Sequence, residues 1–221
     1  MAVASQARKI DELAARASEV LATKGYFEAE HLAARALELA RAESEFHRMA
    51  LVIPTLAQAR MARLKQALKA GKVTIQSAPL DDTVVIQPGC HMFQPPQVGA
   101  DARRFRLLAH KQQVAAAVLC REPVIRMGLV PVVAIAPGAT VRCKVRPPAN
   151  LERPGVEWFS GAIEALGDAA TEIDPELNVE KRIDALMARL DAIPDHEGLH
   201  RCLERTCREA AEARPEETAE E

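Results

Sequence analysis

Apolar residues recur at helical spacing at both ends of the chain, whereas the stretch between them alternates with a period of two. Ile10, Leu13, Ala17 and Val20/Leu21 predict a helix over about Ser5–Ala22. Lys24-Gly25 breaks it, because glycine adopts turn conformations that other residues resist. Leu32, Ala36 and Leu39 form the inner face of a second helix over about Phe27–Ala42. From Glu43 to Ala70 the positions Phe46, Met49, Ile53, Leu56, Arg60, Leu64 and Leu68 fit one further helix. Pro54 falls inside it, so the helix either kinks there or a new one begins.

After Gly71 the period changes. Val73–Gln76 and Val84–Gln87 read as short strands, the second ended by Pro88-Gly89. Ala102–Lys111 reads as a helix, and the apolar run Val114–Cys120 as a strand covered on both faces. Val132–Ala136 and Thr140–Arg146 form a hairpin around Pro137-Gly138. In its second strand Val141, Cys143 and Val145 face inward, which puts Arg142, Lys144 and Arg146 on the other face. Three helices follow, about Pro154–Ala170, Pro175–Ala192 and His196–Ala213, with Asp174-Pro175 as a start signal. The pattern predicts an α+β fold: an N-terminal helical hairpin plus a long helix, a small mixed sheet, and C-terminal helices. The regions expected are 1–71 helical, 72–150 α/β with a basic surface, 151–213 acidic and helical, and a disordered acidic tail over 214–221.

Gly25-Tyr26-Phe27-Glu28-Ala29, then Ala33 and Ala36-Leu37-Glu38-Leu39, resemble the second helix of a tetratricopeptide repeat. Leu13, Ala17 and Val20 fill matching positions of its first helix. The resemblance spans about residues 8–42 and departs from the family in lacking its tryptophan and closing proline. It implies a helical hairpin that presents a surface to another protein or to a second copy of the chain. Repeat arrays need several stacked units, and no second clear copy follows.

Composition narrows the setting. Aromatics make up 3% of the chain against 48% hydrophobic residues, which favours closely packed, alanine-rich helices. No apolar run has the length of a membrane span, and the N-terminus alternates charges as an amphipathic helix rather than a signal peptide. Five cysteines without a CxxC pair point to reduced thiols, with Cys120 and Cys143 as core residues. A cytoplasmic location is therefore expected.

The net charge of −2 hides a division. Residues 57–146 carry 14 Lys and Arg against 4 Asp and Glu, and residues 147–221 carry 8 against 19. Twelve of these basic residues fall in three clusters: Arg60 to Lys72, then Arg103, Arg104, Arg106 and Lys111, then Arg142, Lys144 and Arg146. Arg103, Arg104, Arg142, Lys144 and Arg146 are the candidate anion-binding residues, for nucleic acid or another polyanion if the clusters converge. The alternative is internal pairing with the acidic C-terminal helices, which is favoured because base-stacking aromatics are nearly absent from the middle region.

One motif carries catalytic chemistry. His196-Glu197-Gly198-Leu199-His200 matches HExxH, in which two histidines on one helix face bind zinc and the glutamate serves as general base. Its position at a helix start, with no strand near it in sequence and no third ligand in place, favours an ordinary amphipathic helix capped by Asp195. Cys90-His91 are neighbours in an extended segment, so their side chains diverge and form no dyad. The leading expectation is a non-enzymatic interaction or scaffold protein without cofactor. A zinc hydrolase using His196, His200 and Glu197 and a polyanion binder are the alternatives.

Overall fold

The computed structural model describes residues 2–81, 83–124 and 127–213. The expected acidic tail lies outside them. Helices α1 (Ala2–Ala22) and α2 (Tyr26–Ala42) form the N-terminal hairpin, and α3 (Phe46–Leu68) packs along α2. Gly25 is required at the turn, since a Cβ there would meet the Val20 side chain at 2.6 Å. Pro54 neither ends nor restarts α3, which continues through it as one helix.

Five strands form one sheet in the order β1-β2-β3-β4-β5: β1 (Val73–Gln76), β2 (Gly89–Phe93), β3 (Ala116–Arg121), β4 (Val130–Ala136) and β5 (Ala139–Val145). β1, β2 and β3 are parallel, while β4 and β5 continue the sheet antiparallel. Helix α4 (Gly99–Lys111) connects β2 to β3. The expected strand Val84–Gln87 is instead a loop, with the strand beginning at Gly89. The side-chain amide of Gln112 holds this loop, accepting from Ile86 N at 2.9 Å and donating to Val84 O at 2.8 Å. Those side-chain bonds do for the loop what a ladder does for a strand.

Strand side chains divide between two apolar clusters. Cys90, Met92, Ala117, Leu119, Val130 and Val132 join a large core with helices from both ends of the chain. Phe93, Ala116, Cys120 and Val133 pack instead with Ala102, Phe105 and Ala109 of α4. Helices α5 (Val156–Thr171), α6 (Val179–Ala192) and α7 (Glu197–Ala213) complete the large core, with α7 lying along α3. Helix α6 starts later than Asp174-Pro175 indicates, because Asn178 supplies the cap by accepting from Lys181 N at 2.9 Å.

The sheet divides in its middle. β3 and β4 pair at two positions, Cys120–Val133 and Arg121–Val132. A cavity of about 40 Å³ lies in the opening, lined from one side by Val118 and Ile135 and from the other by Ile163, Leu166 and Ile193. Through this opening the basic side of α4 reaches the C-terminal helices.

Candidate functional site

The HExxH residues take three separate paths. His196 immediately precedes α7, and its Nδ1 accepts from Leu199 N at 3.0 Å. It is thus the cap of the helix, the role expected of Asp195. With Nδ1 used as acceptor, Nε2 is the ring's protonated nitrogen and lies 3.4 Å from both Glu164 Oε1 and Asp168 Oδ1 of α5. The imidazole lies against Gly167, where a Cβ would overlap the ring. His200 is oriented differently: Nδ1 donates to His196 O at 2.9 Å, and Nε2 accepts from Arg60 Nη1 at 3.4 Å. Glu197 is exposed and pairs with Arg201 at 2.7 Å.

The structure therefore does not bring His196, His200 and Glu197 to a common point. It gathers Glu164, Asp168 and His196, whose ligand atoms lie within 4.8 Å of one another. A metal-binding histidine normally donates its second ring N–H to a fixed acceptor. The second nitrogen of His196 meets a backbone donor instead, so the ring lacks that support for a zinc ion. Glu164 and Asp168 are four apart on α5, a spacing visible in the sequence, but nothing local linked them to His196.

The larger polar feature is a buried charge junction where α2, α3, α4 and α7 meet. Glu30 is central to it. Arg60 Nε donates to it at 2.9 Å, Arg63 also pairs with it, and His110 Nε2 lies 3.5 Å away. Burial alone would raise the Glu30 carboxyl, yet the His110 hydrogen bond and the Arg60 and Arg63 cations hold it well below the carboxylate range. Burial, reinforced by Arg60, drives His200 down to about 3, so the ring stays neutral and accepts. Asp195 is buried too, and desolvation raises its carboxyl although Arg63 and Arg106 oppose the shift. On α4, Arg103, Arg106 and His110 form one stripe at i, i+3 and i+7. Arg103 and Arg106 meet Asp191 at the end of α6, and His110 meets Glu30.

The buried thiols are inert. Desolvation pushes Cys90 up to about 11 and Cys120 and Cys207 to about 12. Cys90 turns to Ala67 O, while His91 turns to Gln76, Gln87 O and the Phe105 ring, so the two neighbours do diverge.

The other basic residues belong to an open region. β5 places Arg142 opposite Val133 and Lys144 opposite Pro131. Val133 and Pro131 line a groove of about 500 Å³ at the carboxyl ends of β2 and β3, walled also by Pro95, Pro96, Val98 and Pro123. Val98 and Val124 are 57% and 43% exposed, and Met127, in the loop between β3 and β4, is 78% exposed. Arg142 pairs with Glu122 at 3.1 Å, whereas Lys144 and Arg146 are exposed without an ion pair among the described residues. Arg104 is exposed on α4 and lines a second depression with Arg103, Leu107 and Pro137. The predicted anion-binding residues thus divide: Arg103 is drawn to Asp191, and Arg142 and Lys144 stand in register opposite the groove residues Val133 and Pro131. The groove walls escaped the sequence reading because they come from three separate connections.

No family model matches the chain, and no curated protein and no solved structure matches it. No described helix is long and apolar enough to cross a membrane.

Proposed function

We propose that this protein is a non-enzymatic interaction module that docks another protein at the groove beside α4. One observation carries the reading. Glu197 and His200 of the catalytic-looking motif are engaged by Arg201 and Arg60 and the His196 ring caps its own helix, whereas the exposed Val98 stands with Pro95, Pro96, Pro123 and Pro131 around an open groove. Exposed apolar residues grouped beside a depression and rimmed by polar ones mark an interaction surface. The tetratricopeptide-like hairpin of α1 and α2 acts in this reading as a support. Ala29, Ala33, Ala36 and Ala40 of α2 are buried in contact with neighbouring helices, so that face is not free for a peptide.

The test is site-specific photo-crosslinking in the cell. A benzoylphenylalanine at Val98 is expected to give a discrete crosslinked species, to another protein or a second copy. The same group at Leu51, which is exposed on α3, is expected to give none. Indistinguishable patterns at the two positions would remove the proposal.

A further inference from the structure

We infer that the groove takes an acidic peptide segment carrying aliphatic side chains, a reading that rests on the proposed interaction role and gives it a chemistry. The floor and walls are apolar and aliphatic: Pro95, Pro96, Val98, Pro123, Pro131 and Val133. Their fixed or branched side chains lose little freedom when covered, which favours an extended segment laid along them. Among the described residues no aromatic ring lines the groove, so base stacking finds no platform there and a nucleic acid gains little.

Charge selects the sign of the partner. Arg142 and Lys144 stand on β5 directly across from groove residues Val133 and Pro131, and on the same face of the sheet. Arg121 lines the groove itself; its Nη2 donates to Gln94 at 2.6 Å while its Nε is buried without an acceptor. Against these three cations stands Glu122, which Arg142 already engages. A carboxylate on the incoming chain is attracted by the charges of Arg121 and Lys144, and a cationic side chain is repelled by both. The internal charge division of the chain does not use these residues, since the acidic side chains of α6 pair with Arg41, Arg103 and Arg106 instead.

The experiment measures binding of a dye-labelled decapeptide alternating valine and glutamate to the full chain by fluorescence anisotropy. A valine–lysine decapeptide and a dT10 oligonucleotide of equal label are the comparisons. The glutamate peptide is expected to bind at least about tenfold more tightly than the lysine peptide, and to weaken when salt rises above about 0.1 M. Arg142→Glu/Lys144→Glu is expected to weaken it about tenfold or more with unchanged melting temperature. Should that variant unfold, Arg142→Gln/Lys144→Gln gives the same comparison with a smaller loss. Equal affinity for the two peptides, an unaltered affinity in the folded variants, or tighter binding of the oligonucleotide overturns the inference. A discrete crosslink at Val98 alongside such a result leaves the interaction role standing and removes only the acidic-peptide chemistry.

Discussion

Basic side chains are put to opposite uses at the two ends of α4. Toward its C-terminal end Arg106 and His110 meet Asp191 and Glu30, at the edge of a junction in which Glu30, Arg63 and His200 are buried between α2, α3 and α7. Beyond its N-terminal end, Arg121 lines a groove whose walls are proline and valine, and Arg142 and Lys144 stand on β5 opposite two of its residues, Val133 and Pro131. The junction has its countercharges inside the chain, and among the described residues Glu122 is the carboxylate that lines the groove. Cationic residues close together in sequence can therefore be structural in one place and available in another. What separates them is whether a partner from a distant helix arrives first.

The largest effect should come from breaking the junction. Glu30→Gln keeps the shape of the side chain but leaves Arg60 and Arg63 buried without their counterion. A loss of about 3–5 kcal/mol is expected by chemical denaturation. Arg142→Gln at the groove is expected to change stability by less than about 0.5 kcal/mol, because the pair it breaks is exposed. Equal losses would erase the contrast between the two regions.

Next is the notch that holds His196. Gly167→Ala places a methyl group in the imidazole and should cost about 1–3 kcal/mol. Gly161→Ala, on the same helix with nothing near its Cβ position, should instead stabilise by up to about 1 kcal/mol. Thermal denaturation of the two variants separates packing from helix propensity.

A smaller effect depends on pH. The ring of His200 is lowered from 6.5 to about 3 in the fold. The unfolded chain therefore takes up a proton below about pH 6.5 that the folded chain refuses until about pH 3, and stability is lost as pH falls through that interval. Asp195 acts in the opposite sense. Its raised carboxyl lets the fold keep a proton that the unfolded chain gives up, so its penalty grows as pH rises above 3.8. The difference between wild type and His200→Asn isolates the histidine. It should shrink on acidification by at most about 1.4 kcal/mol per pH unit, and a difference independent of pH would place His200 outside the closed region.

The smallest effect concerns the groove alone. Val98→Ala should leave the melting temperature within about 1 °C, since this groove side chain is more than half exposed. It should nevertheless weaken the anisotropy signal of the valine–glutamate peptide.

Much of the fold was legible because its signals are local. The bounds of β1, and the presence and order of the β4–β5 hairpin and the three C-terminal helices, follow from periodicity and turn residues. Val84–Gln87 misled because an apolar run looks the same whether a ladder or one glutamine amide satisfies its backbone. β2 was missed because a central strand buried on both faces has no alternation to display. At the groove, the cationic face of β5 was readable from its period of two. The walls were not, since Val98, Pro123 and Pro131 meet only after the strands are aligned. The junction was less readable still: Arg60 and His200 are 140 positions apart. HExxH drew attention to two histidines whose neighbours, Gly167 and Arg60, decide what their nitrogens do.

The two-position seam between β3 and β4 has a consequence for motion. The β4–β5 hairpin is joined internally at seven register positions, from Val130–Val145 to Ala136–Ala139, and also packs on α5 and α6. Its attachment to the parallel strands is far narrower. Proteins open in cooperative units bounded where contacts are sparse. Deuterium uptake should therefore report two kinetic groups in one sheet, with β1–β3 exchanging as one block and the hairpin opening together with α5 and α6 as another.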